Sequence, residues 1–179
     1  MGGHSATARS AQTTRHLGNG RVRMLPQEFE WIKTLVQDVR AIAGAEFSGL
    51  GLIAYRRPLG LATLRLAPRY SLPKSIPGDP GQTAKFLAEL SLKSSPAHDG
   101  FHLLDVDARQ ITHPCSYIAP SIPSRAARLL PDRPIGARFA TALLASLDTS
   151  VICAIAASSH RRDNIFVNGV QHAEWQHGA

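Results

Sequence analysis

The sequence predicts an α/β fold in which helices flank a mixed β-sheet. Helical and strand patterns alternate irregularly along 179 residues, without an internal repeat or a second composition regime. Hydrophobic residues make up 44% of the chain, which suits one globular core. The run from 150 to 157 has apolar residues at odd and at even positions alike, as expected for a central strand that is covered on both faces.

The first third of the chain predicts one helix, two strands and a loop. Pro26 begins the helix, since proline is tolerated in a first turn, and Gly44 is a suitable C-terminal cap. Residues 50–55 and 61–66 are predicted strands, and four prolines between 68 and 81 favour an irregular loop. The apolar residues of the helix recur at three- and four-residue spacing: Phe29, Ile32, Leu35, Val36, Val39 and Ile42.

The middle of the chain predicts a second helix, capped by Thr83 and continuing to about Leu92. A strand over 101–105 and a partner strand over 110–112 form a predicted hairpin. Residues 115–121 mix apolar residues with proline and are assigned no element.

The last third predicts a short helix over 124–130 and a small-residue helix over 136–147. The central strand over 150–157 and a shorter strand over 165–167 follow. Asn168-Gly169 then indicates a turn.

The ends of the chain predict flexible segments around one domain over 25–170. Residues 1–24 contain four arginines and no acidic residue, and they are rich in Ser, Thr, Gly and Ala. This composition favours a disordered basic leader, with a transit peptide as the alternative. Residues 171–179 are a predicted flexible tail.

Charge and cysteine content restrict the partners. The net charge of +7 includes basic groups around Arg128 and at residues 160–162, which attract phosphates. No aromatic stacking platform accompanies them, so nucleic acid is not a favoured partner. No apolar run has membrane-spanning length, and a cytoplasmic protein without a membrane partner is expected. Cys115 and Cys153 form no disulfide framework or zinc motif.

The sequence Ser95-Pro96-Ala97-His98-Asp99-Gly100-Phe101 carries the most specific chemistry in the chain. Glycine at position 100 lets the backbone approach a ligand closely. A carboxylate at position 99 then lies at the mouth of the sheet, where it can bind a metal or a sugar hydroxyl. A local turn without ligand is the alternative explanation of the same residues.

Five segments in order resemble the diadenylate cyclase domain, which is found in DNA-integrity-scanning proteins and membrane-anchored cyclases. They are residues 95–104, 115–121, 136–142, 149–159 and 165–169. The first is similar to the family's Pro-Leu-His-Asp-Gly-Ala segment, and the third stands where the family has Gly-Thr-Arg-His-Arg-Ala-Ala. The resemblance implies a nucleotidyltransferase. Enzymes of this family join two ATP molecules, and two domains meet face to face in a homodimer to do so.

The resemblance also implies a set of site residues. Asp99 is the candidate catalytic residue, and His98 with Asp99 is the candidate site for Mg²⁺ or Mn²⁺ if the domain is active; otherwise no cofactor is expected. The candidate ligand is an adenine nucleotide or cyclic dinucleotide. The candidate nucleotide-binding residues are Asp99, Gly100, Phe101, Tyr117, Ile118, Ala119, Pro120, Gly136, Ala137 and Arg138.

The catalytic motifs of the family are degenerate in this sequence. Phe101 replaces a small residue, Phe139 and Ala140 replace His-Arg, and Ser158 and Ser159 replace two acids. Hard cations prefer carboxylate oxygens, so these losses remove metal and phosphate contacts together. The leading hypothesis is therefore a nucleotide-binding sensor without cyclase activity. An active cyclase and a ligand-free interaction module, its pocket filled by Phe101 and Phe139, are the alternatives.

Overall fold

A computed structural model of the chain describes residues 24–66, 79–124, 126–159 and 163–172. Within these ranges, seven strands form a single sheet in the order β2-β4-β3-β1-β5-β6-β7. The strands are β1 Gly49–Tyr55, β2 Ala62–Arg65, β3 Phe101–Asp105, β4 Gln110–Ala119, β5 Val151–Ser158, β6 Asn164–Val167 and β7 Val170–His172. The helices are α1 Pro26–Ala43, α2 Pro80–Leu90 and α3 Ala137–Ala145, with single 3-10 turns at Gly44–Glu46 and Ala126–Arg128.

The sheet is mixed, as the sequence predicts. β1 and β3 run parallel, with Gly51 opposite Phe101, while the other five strand pairs among the described residues are antiparallel. The parallel pair needs a long crossover, and α2 lies within it.

Helices cover both faces of the sheet. Successive side chains of β1 point alternately to these two faces. Leu50 and Leu52 point into the core shared with α1 and α2. Ile53 and Tyr55 point to the opposite face, where α3 packs. Both faces of a central strand are therefore buried, which explains its continuous apolar sequence.

The predicted first helix is confirmed. Pro26 occupies its first turn and Gly44 caps its end with φ 55°. Ile32, Leu35, Val36 and Val39 are fully or almost fully buried, as their spacing predicts. Ile42 was expected on the same face, but it is 51% exposed, and the buried face continues from Val39 to Ala43 instead.

The predicted cap of the second helix, Thr83, is wrong by four residues, since Asp79 is the observed cap. α2 begins at Pro80, and the Asp79 side chain accepts a hydrogen bond from Gly81 N at 2.9 Å. Thr83 is buried within the helix and does not cap it. Asp79-Pro80 is the stronger start signal because it supplies both an acceptor and a preformed φ angle.

The partner strand of the hairpin is much longer than predicted. β4 continues through Pro114 to Ala119, so the segment without an assigned element is mostly strand. Phe101 pairs with Ser116 and Leu103 with His113, which leaves two residues opposite His102. This bulge explains why proline is tolerated inside the strand, since a bulged residue is left out of the hydrogen-bond ladder.

The predicted ends of the domain differ slightly from the structure. Met24 packs against the core of α1, and β7 extends the sheet to His172. The predicted helix over 124–130 is reduced to one 3-10 turn. Most of the predicted leader over 1–24, of the predicted loop over 68–81 and of the predicted tail over 171–179 lies outside the described residues, as do the basic residues 160–162. The described end of the loop is wrong, because Pro80 and Gly81 belong to α2. No helix in the described part of the chain is long and apolar enough to cross a membrane.

Candidate functional site

A cavity of about 450 Å³ opens between the ends of β3 and β4 and the N-terminus of α3. It lies on the α3 side of the sheet, at the edge where the Asp99-Gly100 turn enters β3. Ten residues line it: Leu66, Asp99, Phe101, Ser116, Tyr117, Ile118, Gly136, Ala137, Arg138 and Thr141.

One wall of the cavity is apolar and aromatic. Phe101 and Ile118 are buried in it, whereas Tyr117 is 58% exposed. The Phe101 ring packs on Gly51 of β1 so closely that a Cβ at position 51 would lie 2.8 Å from Cδ1 of the ring. The bulk of Phe101 is therefore seated against the neighbouring strand, and the cavity stays open beside it.

The opposite end of the cavity is charged. Arg138, the second residue of α3, donates from Nη2 to the His98 carbonyl oxygen at 2.6 Å. The same nitrogen lies 3.5 Å from Asp99 Oδ1, and the Asp99 side chain is 83% exposed. Burial lowers the pKa of Arg138 and the Asp99 charge opposes this shift, while arginine stays protonated in proteins.

Gly49 sets the position of the Arg138 guanidinium. A Cβ at position 49 would overlap Arg138 Nη1 and lie 2.9 Å from the carbonyl oxygen of Ala157. Gly49 also has φ 153°, a conformation that residues with side chains rarely adopt. Glycine at the start of β1 therefore gives the guanidinium a surface on which to lie.

The Asp99-Gly100 turn is held from beneath by the β4 bulge. A Cβ at position 100 would lie 2.7 Å from Cys115 Cα, so only glycine fits there. Cys115 N donates to His102 Nδ1 at 3.0 Å. Burial lowers the pKa of His102 to about 3, with a smaller contribution from Arg138, so the imidazole is neutral and its Nδ1 accepts.

The structure brings seven of the predicted nucleotide-binding residues to the cavity: Asp99, Phe101, Tyr117, Ile118, Gly136, Ala137 and Arg138. It places the other three outside the lining, because Gly100 packs against Cys115 and because Ala119 and Pro120 lie at and beyond the end of β4. His98 lies behind Arg138, with its Nδ1 2.5 Å from the Ser95 carbonyl oxygen.

Sequence reasoning missed Leu66, Ser116 and Thr141. Thr141 follows Ala137 by four residues, so helical periodicity could have identified it. Leu66 comes next to Cys115 through the bond from Leu66 N to Cys115 O, a pairing that no local signal reveals.

Two of the residues predicted to replace catalytic residues, Phe139 and Ser158, make structural contacts. The Phe139 ring meets Phe166 edge-on, with centroids 4.9 Å apart, and does not line the cavity. Phe101 lines the cavity without Phe139, whereas the alternative of a ligand-free module requires both rings to fill it. Ser158 ends β5, and its carbonyl oxygen accepts a hydrogen bond from Arg40 Nη2 at 2.9 Å.

The predicted metal pair has a poor donor set for Mg²⁺ or Mn²⁺. No group of three or more His, Cys, Asp or Glu residues gathers anywhere in the part of the chain that the structure describes. The Asp99 carboxylate faces His98 Nε2 at 3.4 Å and Arg138 Nη2 at 3.5 Å. Hard divalent cations require several oxygen ligands, so these residues do not fit a resident metal.

Comparison with solved structures identifies the architecture. DacA from Staphylococcus aureus, a diadenylate cyclase crystallised as a double mutant, matches with a TM-score of 0.51. The match covers 83% of this chain and 88% of that chain at 14% identity. The fold is diadenylate cyclase-like. No protein-family model and no curated protein matches the sequence. What the comparisons show is therefore a shared architecture.

Proposed function

We propose that this diadenylate cyclase-like domain binds an adenine nucleotide or cyclic dinucleotide and acts as a sensor that does not cyclise ATP. The observation that carries this proposal is the composition of the cavity. The lining of one cavity of about 450 Å³ includes both an exposed tyrosine, Tyr117, and an arginine, Arg138. Ligand pockets commonly combine an apolar lining with a few convergent polar groups.

The two ends of the cavity suit the two ends of a nucleotide. A base can pack against the apolar part of the lining, to which Phe101, Ile118 and Tyr117 contribute. A phosphate can reach Arg138 and the backbone amides at the start of α3, which no N-cap side chain satisfies and where the helix dipole favours anions. Neither contact alone is specific, but their spacing across one cavity favours a ligand with both groups.

The same cavity is poorly equipped for cyclisation. Phosphoryl transfer needs several positive groups that stabilise charge developing on the phosphate. Arg138 is the one cationic side chain among the described lining residues, and Asp99 offsets it. Removing one such charge partner typically costs about 3 kcal/mol in the transition state, so several losses together favour binding without turnover.

Calorimetry tests the proposal. We expect saturable binding of AMP, ATP or cyclic di-AMP to the purified chain. Tyr117→Ala should weaken adenosine and AMP equally, whereas Arg138→Ala should weaken AMP and leave adenosine unchanged. Ile42→Ala removes an exposed side chain of α1 that is not in the lining and serves as the control for surface substitution. Absence of binding by every nucleotide at millimolar concentration, with a folded sample, would refute the proposal.

An active cyclase is the second candidate, and the position of Asp99 beside Arg138 at the cavity favours it. Labelled ATP incubated with Mg²⁺ or Mn²⁺ decides between the two. The sensor proposal predicts neither cyclic product nor pyrophosphate under either metal, and formation of both would establish the enzyme instead.

A ligand-free interaction module is the third candidate. It predicts a collapsed cavity, and the open cavity argues against it.

A further inference from the structure

We propose that Asp99 is an internal counter-anion for Arg138 and that the cavity takes the phosphate of its ligand without a divalent cation. The inference rests on the proposed function and assigns Asp99 a role opposite to metal binding. In this role, Asp99 lowers the affinity for phosphate, and a bound phosphate displaces it from the guanidinium.

The geometry of the turn places Asp99 where a phosphate would bind. Its Oδ1 lies 3.5 Å from Arg138 Nη2 and 3.4 Å from His98 Nε2, so one carboxylate oxygen faces both nitrogens. The bond from Arg138 Nη2 to the His98 carbonyl and the close contact with Gly49 hold the guanidinium in place. The fixed partner is thus the cation, and the carboxylate is the partner that can leave.

The exposure of the pair supports such an exchange. The Asp99 side chain is 83% exposed, whereas that of Arg138 is 23% exposed. An exposed ion pair at this distance is weak, because water screens it and because the mobile side chain loses entropy when it is held. A phosphate that carries more charge and more acceptor oxygens can replace the carboxylate at modest cost.

The surrounding chemistry opposes a cation at the same point. Asp99 supplies the sole carboxylate among the described lining residues, and a guanidinium lies within 3.5 Å of it. A divalent ion bound to Asp99 would face this positive charge and would find no second carboxylate among the described lining residues. Arg138 can neutralise the phosphate directly, which makes the ion unnecessary for binding.

The experiment compares Asp99→Asn with the unchanged chain by calorimetry, using AMP and adenosine in EDTA and in 5 mM MgCl₂. We expect AMP to bind Asp99→Asn about three- to tenfold more tightly, the change typical of removing one exposed charge interaction. Adenosine should bind both proteins equally, and AMP affinity of the unchanged chain should differ less than about twofold between EDTA and Mg²⁺, since no ion is recruited.

Asp107→Asn is the matched control, because Asp107 is also an exposed partner of an arginine, Arg56, but lies outside the cavity lining. It should leave AMP affinity unchanged. Tightening of AMP by Mg²⁺ that Asp99→Asn abolishes, or weaker AMP binding by Asp99→Asn in EDTA, would overturn the inference while leaving nucleotide binding intact. If neither AMP nor adenosine binds the unchanged chain, the proposed function fails and this inference fails with it. Asp99→Ala provides a second variant if Asp99→Asn does not fold.

Discussion

Two arginine–aspartate pairs in this domain have the same chemistry and opposite surroundings. Arg40 pairs with Asp163, whose side chain is fully buried, and Arg40 also donates to the Ser158 carbonyl. Arg138 pairs with Asp99, whose side chain is 83% exposed. The first pair fastens α1 to the end of β5 and the start of β6. The second pair faces an open cavity, so its guanidinium is available to a ligand.

The comparison shows that burial decides what a charge pair does. A buried carboxylate must keep its partner, because an uncompensated charge inside the protein is costly. An exposed carboxylate can exchange its partner for water or for a ligand with little loss. Structural and ligand-binding arginines should therefore respond differently to substitution, and the following changes test this difference.

The largest effect is expected at Asp163. Asp163→Ala leaves Arg40 without its buried partner, so the free energy of unfolding should fall by about 3–5 kcal/mol. Urea denaturation measures this change, and Asp107→Ala, in an exposed pair, should cost less than about 1 kcal/mol. Equal losses in the two variants would show that burial does not separate the pairs.

Gly49→Ala should have the next largest effect and should affect both stability and binding. The added Cβ overlaps Arg138 Nη1 and strains the backbone, which we expect to cost about 2–3 kcal/mol and to weaken AMP binding. Gly44→Ala is the control, because Gly44 also has positive φ but its Cβ would meet nothing within 4 Å. Gly44→Ala should lower stability by about 1–2 kcal/mol without changing AMP affinity. An unchanged AMP affinity in Gly49→Ala would contradict the assigned role.

Protonation of the buried His102 should make the free energy of unfolding depend on pH. Its folded pKa of about 3 lies below the ordinary value of 6.5, so the neutral form is favoured in the folded state. Its stabilisation is present above pH 6.5 and is lost as the pH falls from 6.5 towards 3, by up to about 1.4 kcal/mol per pH unit. His102→Asn keeps an acceptor for Cys115 N and should flatten this slope in urea unfolding measured between pH 7 and 4. Identical slopes would indicate that the imidazole is not held neutral by the fold.

The parts of the fold that depend on local signals could be predicted from the sequence. The helix between Pro26 and Gly44 and the strand over 101–105 follow from spacing and from punctuating residues. The extension of β4 through Pro114 could not be predicted. The bulge that accommodates proline depends on a hydrogen bond from Cys115 N to the side chain of His102, which lies on the neighbouring strand β3.

The candidate site was predictable to a similar degree. Asp99, Tyr117 and Arg138 were found because they stand in segments that resemble a known family, and the structure brings them to one cavity. Gly49 was not found, since its role is visible only when α3 lays the Arg138 guanidinium across the start of β1. Contacts between elements distant in sequence leave no local pattern to read.

The most direct test of the central claim is calorimetric titration of AMP into the unchanged chain and into Arg138→Ala. Because Arg138 faces the cavity and does not hold the core together, the variant should lose at least about tenfold in AMP affinity. Its free energy of unfolding should fall by only about 1–3 kcal/mol, because the variant loses the hydrogen bond from Arg138 Nη2 to the His98 carbonyl but no buried ion pair. Equal AMP affinity in the two proteins, or no AMP binding by the folded unchanged chain, would contradict the account.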